Sequence, residues 1–229
     1  MRYPIILADA DDTLLDFTRS EACAIRDTLR PFGGSVDEMA EEYSAINKRC
    51  WQAFERGEIE KEAMLIRRFA LLFEKYGISA DPRQANDAYR ANLGGYSYVL
   101  PHAEELCRTL RDRGHRLYIV TNGTTAVQTR RFAASGLERY ADGVFISEQL
   151  GVQKPEPGFF DLVFSALGMP DKKDCVILGD SPTSDMLGGE KYGLDTCWFN
   201  PHHRPGGERW TYEIHRLMDF LPIAEGGAQ

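Results

Sequence analysis

This 229-residue sequence predicts an α/β fold: an open, parallel sheet with an all-helical segment inserted after the first strand. Short apolar runs that stop at polar or Gly-containing loops suit parallel strands covered on both faces. Amphipathic helical patterns lie between the later runs, and such alternation implies right-handed crossovers in one parallel sheet. Between the first run and the second there is instead a long stretch of helical periodicity with no convincing strand.

The first strand is read from "PIILAD" (4–9). In the helical stretch, Tyr43, Ile46, Cys50 and Phe54 share a face over 38–56. Ile66, Phe69, Phe73 and Tyr76 do the same over 61–76. Gly57, Gly77 with Pro82, and Gly94–Gly95 punctuate these helices. The expected division is a small helical domain over 16–98, above the carboxyl end of the first strand, and an α/β core from 1–15 and 99–229. Over 102–113, Ala103, Leu106, Cys107 and Leu110 recur at helical spacing, and Gly114 offers a stop. The remaining strands are "RLYIVTNG" (116–123), "GVFIS" (143–147), "CVILGD" (175–180) and "DTCWFN" (195–200). Gly136, Gly168 and Gly193 close helical segments between them, and Pro157 suits the first turn of one. The terminal "AEGGAQ" is expected to fray.

Composition narrows the function. Hydrophobic residues make up 43%, enough for a sizeable core. A net charge of -8 works against non-specific binding to nucleic acid or an anionic membrane. No apolar run approaches the roughly 20 residues of a membrane span, and no basic-then-apolar leader is present, so a soluble cytoplasmic protein is expected. The five cysteines are widely spaced without a C-x-x-C, which favours buried free thiols over a disulfide framework or structural zinc.

In an open α/β sheet, ligands bind outside the carboxyl ends of the strands. The first strand delivers Asp9-Ala10-Asp11-Asp12-Thr13. A carboxylate at Asp9 can attack phosphorus, and Asp11 can reach the same ligand from the turn. Two carboxylates facing an anionic phosphate make sense only with a divalent cation, although an Asp-rich turn alone is also common. Thr121-Asn122-Gly123 ends the second strand, where a hydroxyl and backbone N–H groups suit a phosphate oxygen or, equally, a helix N-cap. Lys154, after the third strand, could be a merely solvated surface lysine, but a site with several carboxylates and a phosphate needs a fixed positive charge. Asp180, directly after Gly179, and Asp185 suit a hard cation, although a turn Asp and an N-capping Asp explain either one singly. Four such sites at four successive strand ends are hard to attribute to chance. Asp12 is assigned to the turn and Asp16 to the exit toward the helical segment.

With these motifs the sequence resembles the haloacid dehalogenase-like (HAD) hydrolases, in "DADDT", "TNG", Lys154 and "GDSPTSD". The helical insertion resembles that family's C1 cap, and the core its Rossmann-like sheet. The resemblance implies Asp9 as nucleophile and Asp11 as general acid/base, with Thr121, Asn122 and Lys154 on the phosphoryl group. It also implies Mg²⁺, with Mn²⁺ as a substitute, on Asp9, the Asp11 carbonyl and Asp180, with Asp185 as direct or indirect partner. An alkoxide leaving group needs a proton where a halide does not, so the D-x-D spacing favours phosphate esters over carbon–halogen bonds.

"AINKRCW", "VFISEQLGVQKP" and "TCWFNPHHR" are similar to the YjjG/YfnB-type pyrimidine 5′-nucleotidases. That resemblance implies a small phosphomonoester substrate, a nucleotide such as UMP, dUMP or dTMP. Asn47 and Trp51, one helical turn apart, could face the mouth of the site, with Trp51 stacking on a base or belonging instead to the helical core. "TCWFN" could be only a strand core, with His202 and His203 in a solvated loop. The alternatives are a phosphoglycolate or sugar-phosphate phosphatase, a phosphomutase of the same fold, or a non-catalytic binding module; the last would be marked by a lost motif carboxylate. The oligomeric state is left between monomer and homodimer.

Overall fold

The structure, a computed structural model, describes residues 1–227. The chain opens with strand β1 (Ile5–Ala8), followed by helices α1 (Phe17–Leu29), α2 (Val36–Glu55), α3 (Lys61–Tyr76) and α4 (Pro82–Leu93). Next come α5 (Ala103–Asp112), β2 (Arg116–Thr121), α6 (Thr125–Ser135), β3 (Gly143–Ile146), α7 (Ser147–Leu150) and α8 (Pro157–Ala166). The chain continues through β4 (Cys175–Gly179), α9 (Leu187–Tyr192), β5 (Asp195–Phe199), β6 (Tyr212–Ile214) and α10 (Phe220–Glu225). Contacts divide these elements into two compact units. One holds Met1–Asp16, Val99–Thr125 and the chain from Ser135 onward; the other holds Phe17–Tyr98 and Ala126–Ala134.

In the first unit the strands run β3-β2-β1-β4-β5-β6, every pairing parallel. All four residues of β1 are buried, as its unbroken apolar run requires of a central parallel strand. The chain builds outward from β1 through β2 to β3, then returns to the other side of β1 with β4. The order therefore reverses between β1 and β4, the place where open α/β sheets bind ligands. One sheet face packs Ile5, Leu7 and Ile177 with Phe159, Phe160, Val163 and Phe164 of α8 and with Tyr192 of α9. Helix α9 approaches closely because a Cβ on Gly189 would lie 2.6 Å from the Ile177 side chain. Pro157 occupies the first turn of α8, as expected.

The sheet holds one more strand than the sequence predicts. The three residues of β6 carry no apolar run, and they are placed by pairing with β5 and by the Tyr212 hydroxyl, 2.9 Å from that of Tyr3. The expected fraying of "AEGGAQ" is corrected at its start: Ala224 is buried and Glu225 pairs with Arg113, while Ala228 and Gln229 lie outside the described residues.

The second unit is helical. Helix α3 ends on Gly77 in the left-handed region (φ 63°), and α4 starts with Pro82 behind Asp81, whose carboxylate accepts from Arg83 N–H. Tyr43, Phe69 and Tyr89 form an aromatic cluster with centroids 4.9–5.9 Å apart. The sequence expects 99–229 to stay together, but Ala126–Ala134 groups with the helices. Val127 enters their apolar core, and Arg131 Nε donates to the Tyr96 carbonyl at 3.1 Å.

A buried polar chain crosses this unit with one member from each of its first four helices. Asn47 Nδ2 donates to Glu21 Oε1 at 2.5 Å, and Asn47 Oδ1 accepts from Arg68 Nη1 at 2.7 Å. Arg68 Nη2 donates to Asn86 Oδ1 at 2.9 Å. One amide thus bridges a buried carboxylate and a buried guanidinium. Asn47→Ala is therefore expected to destabilise the protein by about 3 kcal/mol, because both charges lose their bridge. Urea unfolding measures this; a loss under about 1 kcal/mol would show that the bridge carries little. Among the described residues, no helix is long and apolar enough to cross a membrane.

Candidate active site

The site is built where β1, β2 and β4 end. Asp9 follows β1, and its N–H donates to the Leu178 carbonyl at 2.8 Å. The chain then turns tightly: Leu14 and Leu15 N–H both donate to the Ala10 carbonyl, and Asp12 N–H donates to the Leu15 carbonyl. Asp12 sits in the left-handed region at φ 57°, a conformation Asp tolerates, and so serves the turn as expected. Asp11 pairs with Leu15 in an isolated bridge of this turn. Asp16 is the last residue before α1.

Lys154 is completely buried at the centre. Its ammonium donates to Asp9 Oδ1 at 2.7 Å, Asp185 Oδ1 at 2.6 Å and the Val120 carbonyl at 2.8 Å. Those three bonds use all three of its hydrogens. Its main chain is held by Asn122, whose Nδ2 donates to the Lys154 carbonyl at 2.8 Å and whose Oδ1 accepts from the Lys154 N–H at 2.9 Å. Asn122 is thus brought to the site with its side-chain amide turned onto the lysine. Thr121, the last residue of β2, is buried, and its hydroxyl accepts from Gly123 N–H at 3.1 Å.

Asp185 sits in a wide π-helical turn, Pro182–Met186, a geometry common at functional sites. Its Oδ2 accepts from Ser181 N–H at 3.1 Å. A Cβ at position 179 would lie 2.3 Å from that same oxygen, so the Asp185 carboxylate occupies space that only a glycine leaves open. Carboxylate oxygens of Asp9, Asp180 and Asp185 all come within 4.8 Å of one another.

Three carboxylates gather here against the Lys154 ammonium and the Arg204 guanidinium, 3.7 Å from Asp180 Oδ2, which leaves the cluster short of positive charge. Burial, then the neighbouring Asp185, pushes the Asp9 carboxyl up to about 8, and Lys154 offsets only part of this. Asp180, with a quarter of its side chain exposed, is driven well above the ordinary carboxylate range by burial and then by Asp9 and Asp185. For Lys154 burial works against the charge, but Asp185 and Asp9 outweigh it and hold the ammonium protonated above its usual range. An all-oxygen donor set with excess negative charge suits a hard divalent cation such as Mg²⁺.

The cap residues separate. Asn47 is buried and spends its amide on Glu21 and Arg68, so its expected place at the mouth of the site is corrected to the interior of the helical unit. Trp51 keeps partial exposure and packs edge-to-face on Phe54 at 5.7 Å, with the helical core behind it. Sequence reasoning missed Arg204, which donates to the Asp180 carbonyl, and Ser184, whose hydroxyl accepts from Asn122 Nδ2 at 3.3 Å. The strand-end rule applied to "DTCWFN" would have pointed to the loop that carries Arg204.

Comparison with known proteins places this geometry. A family model described as haloacid dehalogenase-like hydrolase matches residues 3–193. The pyrimidine 5′-nucleotidase PynA of Streptococcus pneumoniae is 36% identical, over 96% of this chain and 94% of its own. The pyrimidine 5′-nucleotidase YjjG of Escherichia coli is 32% identical, over 96% and 99%. The crystal structure of the HAD-hydrolase YfnB of Bacillus subtilis, bound to magnesium, superposes with a TM-score of 0.92 at 36% identity, covering 98% of this chain and 99% of that one. Strand order, carboxylate cluster and family match converge: the chain belongs to the haloacid dehalogenase-like hydrolases.

Proposed function

We propose that the protein is a Mg²⁺-dependent phosphomonoester hydrolase acting through an aspartyl-phosphate, with pyrimidine nucleoside 5′-monophosphates as substrates. The observation that carries the chemistry is the cluster of Asp9, Asp180 and Asp185, the first and last of them held by the buried Lys154, whose charge balance calls for a divalent cation. The cation would be held by Asp9, the main-chain carbonyl of Asp11 and Asp180, and Asp185 would act chiefly by holding Lys154. When bound, it supplies positive charge that screens the phosphate from the carboxylates and stabilises charge developing in the transition state. Mn²⁺ is the expected substitute.

In the first step an Asp9 oxygen forms a bond to phosphorus as the bond to the 5′-oxygen breaks, and Asp11 delivers the proton that oxygen needs. In the second, Asp11 takes a proton from water, whose oxygen attacks phosphorus, releasing inorganic phosphate and restoring the Asp9 carboxylate. Lys154, with its three hydrogens on protein acceptors, acts by charge and by fixing Asp9. Thr121 contacts the phosphoryl group, and Asn122 serves it by seating Lys154. The strand-bearing unit is read as the catalytic core and the helical unit as the cap. The naming of PynA and YjjG as pyrimidine 5′-nucleotidases supports the substrate class.

The test is Mg²⁺-dependent phosphate release across UMP, dUMP, dTMP, purine nucleotides, sugar phosphates and phosphoglycolate. The highest kcat/KM is expected on the pyrimidine nucleotides. A clear preference for sugar phosphates or phosphoglycolate would overturn the substrate assignment and leave the chemistry standing. Isomerised sugar phosphate without free phosphate would instead mark a mutase.

A further inference from the structure

Asn200 follows β5 and is fully buried. Its Oδ1 accepts from the Arg204 main-chain N–H at 2.9 Å and from Arg204 Nε at 3.4 Å, while its Nδ2 donates to the Arg204 carbonyl at 2.8 Å. One buried amide therefore grips both ends of the Arg204 main chain. The same Nδ2 donates to Glu213 Oε1 at 2.5 Å, tying the grip to β6. From this seat Arg204 reaches back to the end of β4. Its Nη2 donates to the Asp180 carbonyl at 2.6 Å and stands 3.7 Å from Asp180 Oδ2. The Trp198 indole N–H donates to that carbonyl too, at 2.9 Å, and the guanidinium lies over the Trp198 ring, 5.2 Å from its centroid.

Two donors converging on one carbonyl fix the plane of the peptide between Asp180 and Ser181. That plane limits where the Asp180 carboxylate can point. We propose that Arg204 is a positioning residue for Asp180: seated by Asn200 and backed by Trp198, it aims the carboxylate that holds the divalent cation, without touching cation or phosphate. The inference rests on the reading of Asp9 and Asp180 as the cation site. An arm meant only to stabilise the loop would gain little from a partly exposed side chain; this one ends on the Asp180 carbonyl with its guanidinium 3.7 Å from a carboxylate of the acidic cluster. The segment "TCWFNPHHR" thus becomes the support of the fourth strand-end motif, in addition to a strand core.

The experiment is calorimetric titration of Mg²⁺ into the substrate-free protein, with metal-free melting curves as the check on folding. Wild type, Arg204→Gln, Arg204→Lys, Trp198→Phe and Asp180→Asn are compared. Wild type is expected to bind and Asp180→Asn to lose binding. Partners that orient metal ligands typically contribute about tenfold to a hundredfold in affinity, so Arg204→Gln is expected to weaken binding by about tenfold or more. Arg204→Lys, which keeps the charge and loses the fork, should recover part of that loss, and Trp198→Phe should show a smaller one. The half-saturating Mg²⁺ concentration for turnover should rise by the same factor in each variant. Arg204→Gln binding Mg²⁺ with wild-type affinity, whether or not its melting temperature falls, would overturn the proposal. A wild type that binds no Mg²⁺, or an Asp180→Asn that binds it equally well, would instead remove the cation site itself, so the two failures are distinguishable.

Discussion

Replacing Asp9 by asparagine is expected to lower turnover by about 10⁴-fold or more while the melting temperature holds or rises. The two effects have separate causes. The amide cannot form the bond to phosphorus, so the route through the covalent intermediate closes. It also removes one carboxylate from a cluster that holds three against the Lys154 ammonium and the Arg204 guanidinium, and burial and the neighbouring Asp185 oppose ionisation of Asp9 without a cation. Lys154 keeps a neutral oxygen to donate to at a position now 2.7 Å away. Rapid acid quench of a reaction with ³²P-labelled nucleotide should trap label on the wild-type chain and none on Asp9→Asn. Equal labelling of both, or phosphate release by Asp9→Asn at the wild-type rate, would rule out the covalent route.

Lys154→Met should act on both activity and stability, in the same direction. Methionine fills much of the same volume but leaves Asp9 and Asp185 without their shared partner. Removing one side of a buried, hydrogen-bonded ion pair costs about 3–5 kcal/mol. Loss of the charge beside the reacting phosphoryl group is expected to lower kcat by about 10³-fold. The pH dependence has a definite sign. The Asp9 carboxyl goes from an ordinary 3.8 up to about 8 on folding, so between those values the folded chain holds a proton that the unfolded chain has released. Stability of the cation-free protein therefore falls as pH rises through that window. Lys154 is charged in both states there and adds no slope, but it restrains the rise at Asp9. Without it the Asp9 carboxyl should rise further, so the fall should continue above pH 8, where the wild-type profile levels off. Denaturant midpoints above and below pH 8 in chelator measure this; profiles that level off at the same pH would show that the lysine does not set the proton affinity of Asp9.

Much of this architecture is legible in the sequence, for identifiable reasons. The predicted strands are short apolar runs because most of their residues are covered in the sheet, and such runs end at polar residues. That is why Asp9, Thr121, Lys154, Asp180 and Asp185 could be picked out one motif at a time. What could not be read is pairing across the chain. Strand β6 owes its place to β5 and to a tyrosine hydroxyl, and its own three residues give no signal. Asn122 looks like a phosphate contact or a cap until its amide is seen to hold Lys154 from thirty-two positions away. Asn47 reads as a residue facing the mouth of the site, and only Glu21 and Arg68 on other helices reveal the buried role. Arg204 was hidden for the same reason, since its partner lies on another strand.

The placement of β1 between β2 and β4 also bears on the order in which the molecule can be made. Strand β1 is enclosed only once both of its neighbours are made, and both are encoded far downstream of it. The four helices after it find most of their partners in one continuous stretch and can collapse while synthesis continues. The strand bearing Asp9 must meanwhile stay unpaired, a short apolar segment waiting for residues 116–121 and 175–179. Translation stalled between those two segments would present a nascent chain with its helices formed and the strand bearing Asp9 still open on one edge, a state exposed to aggregation.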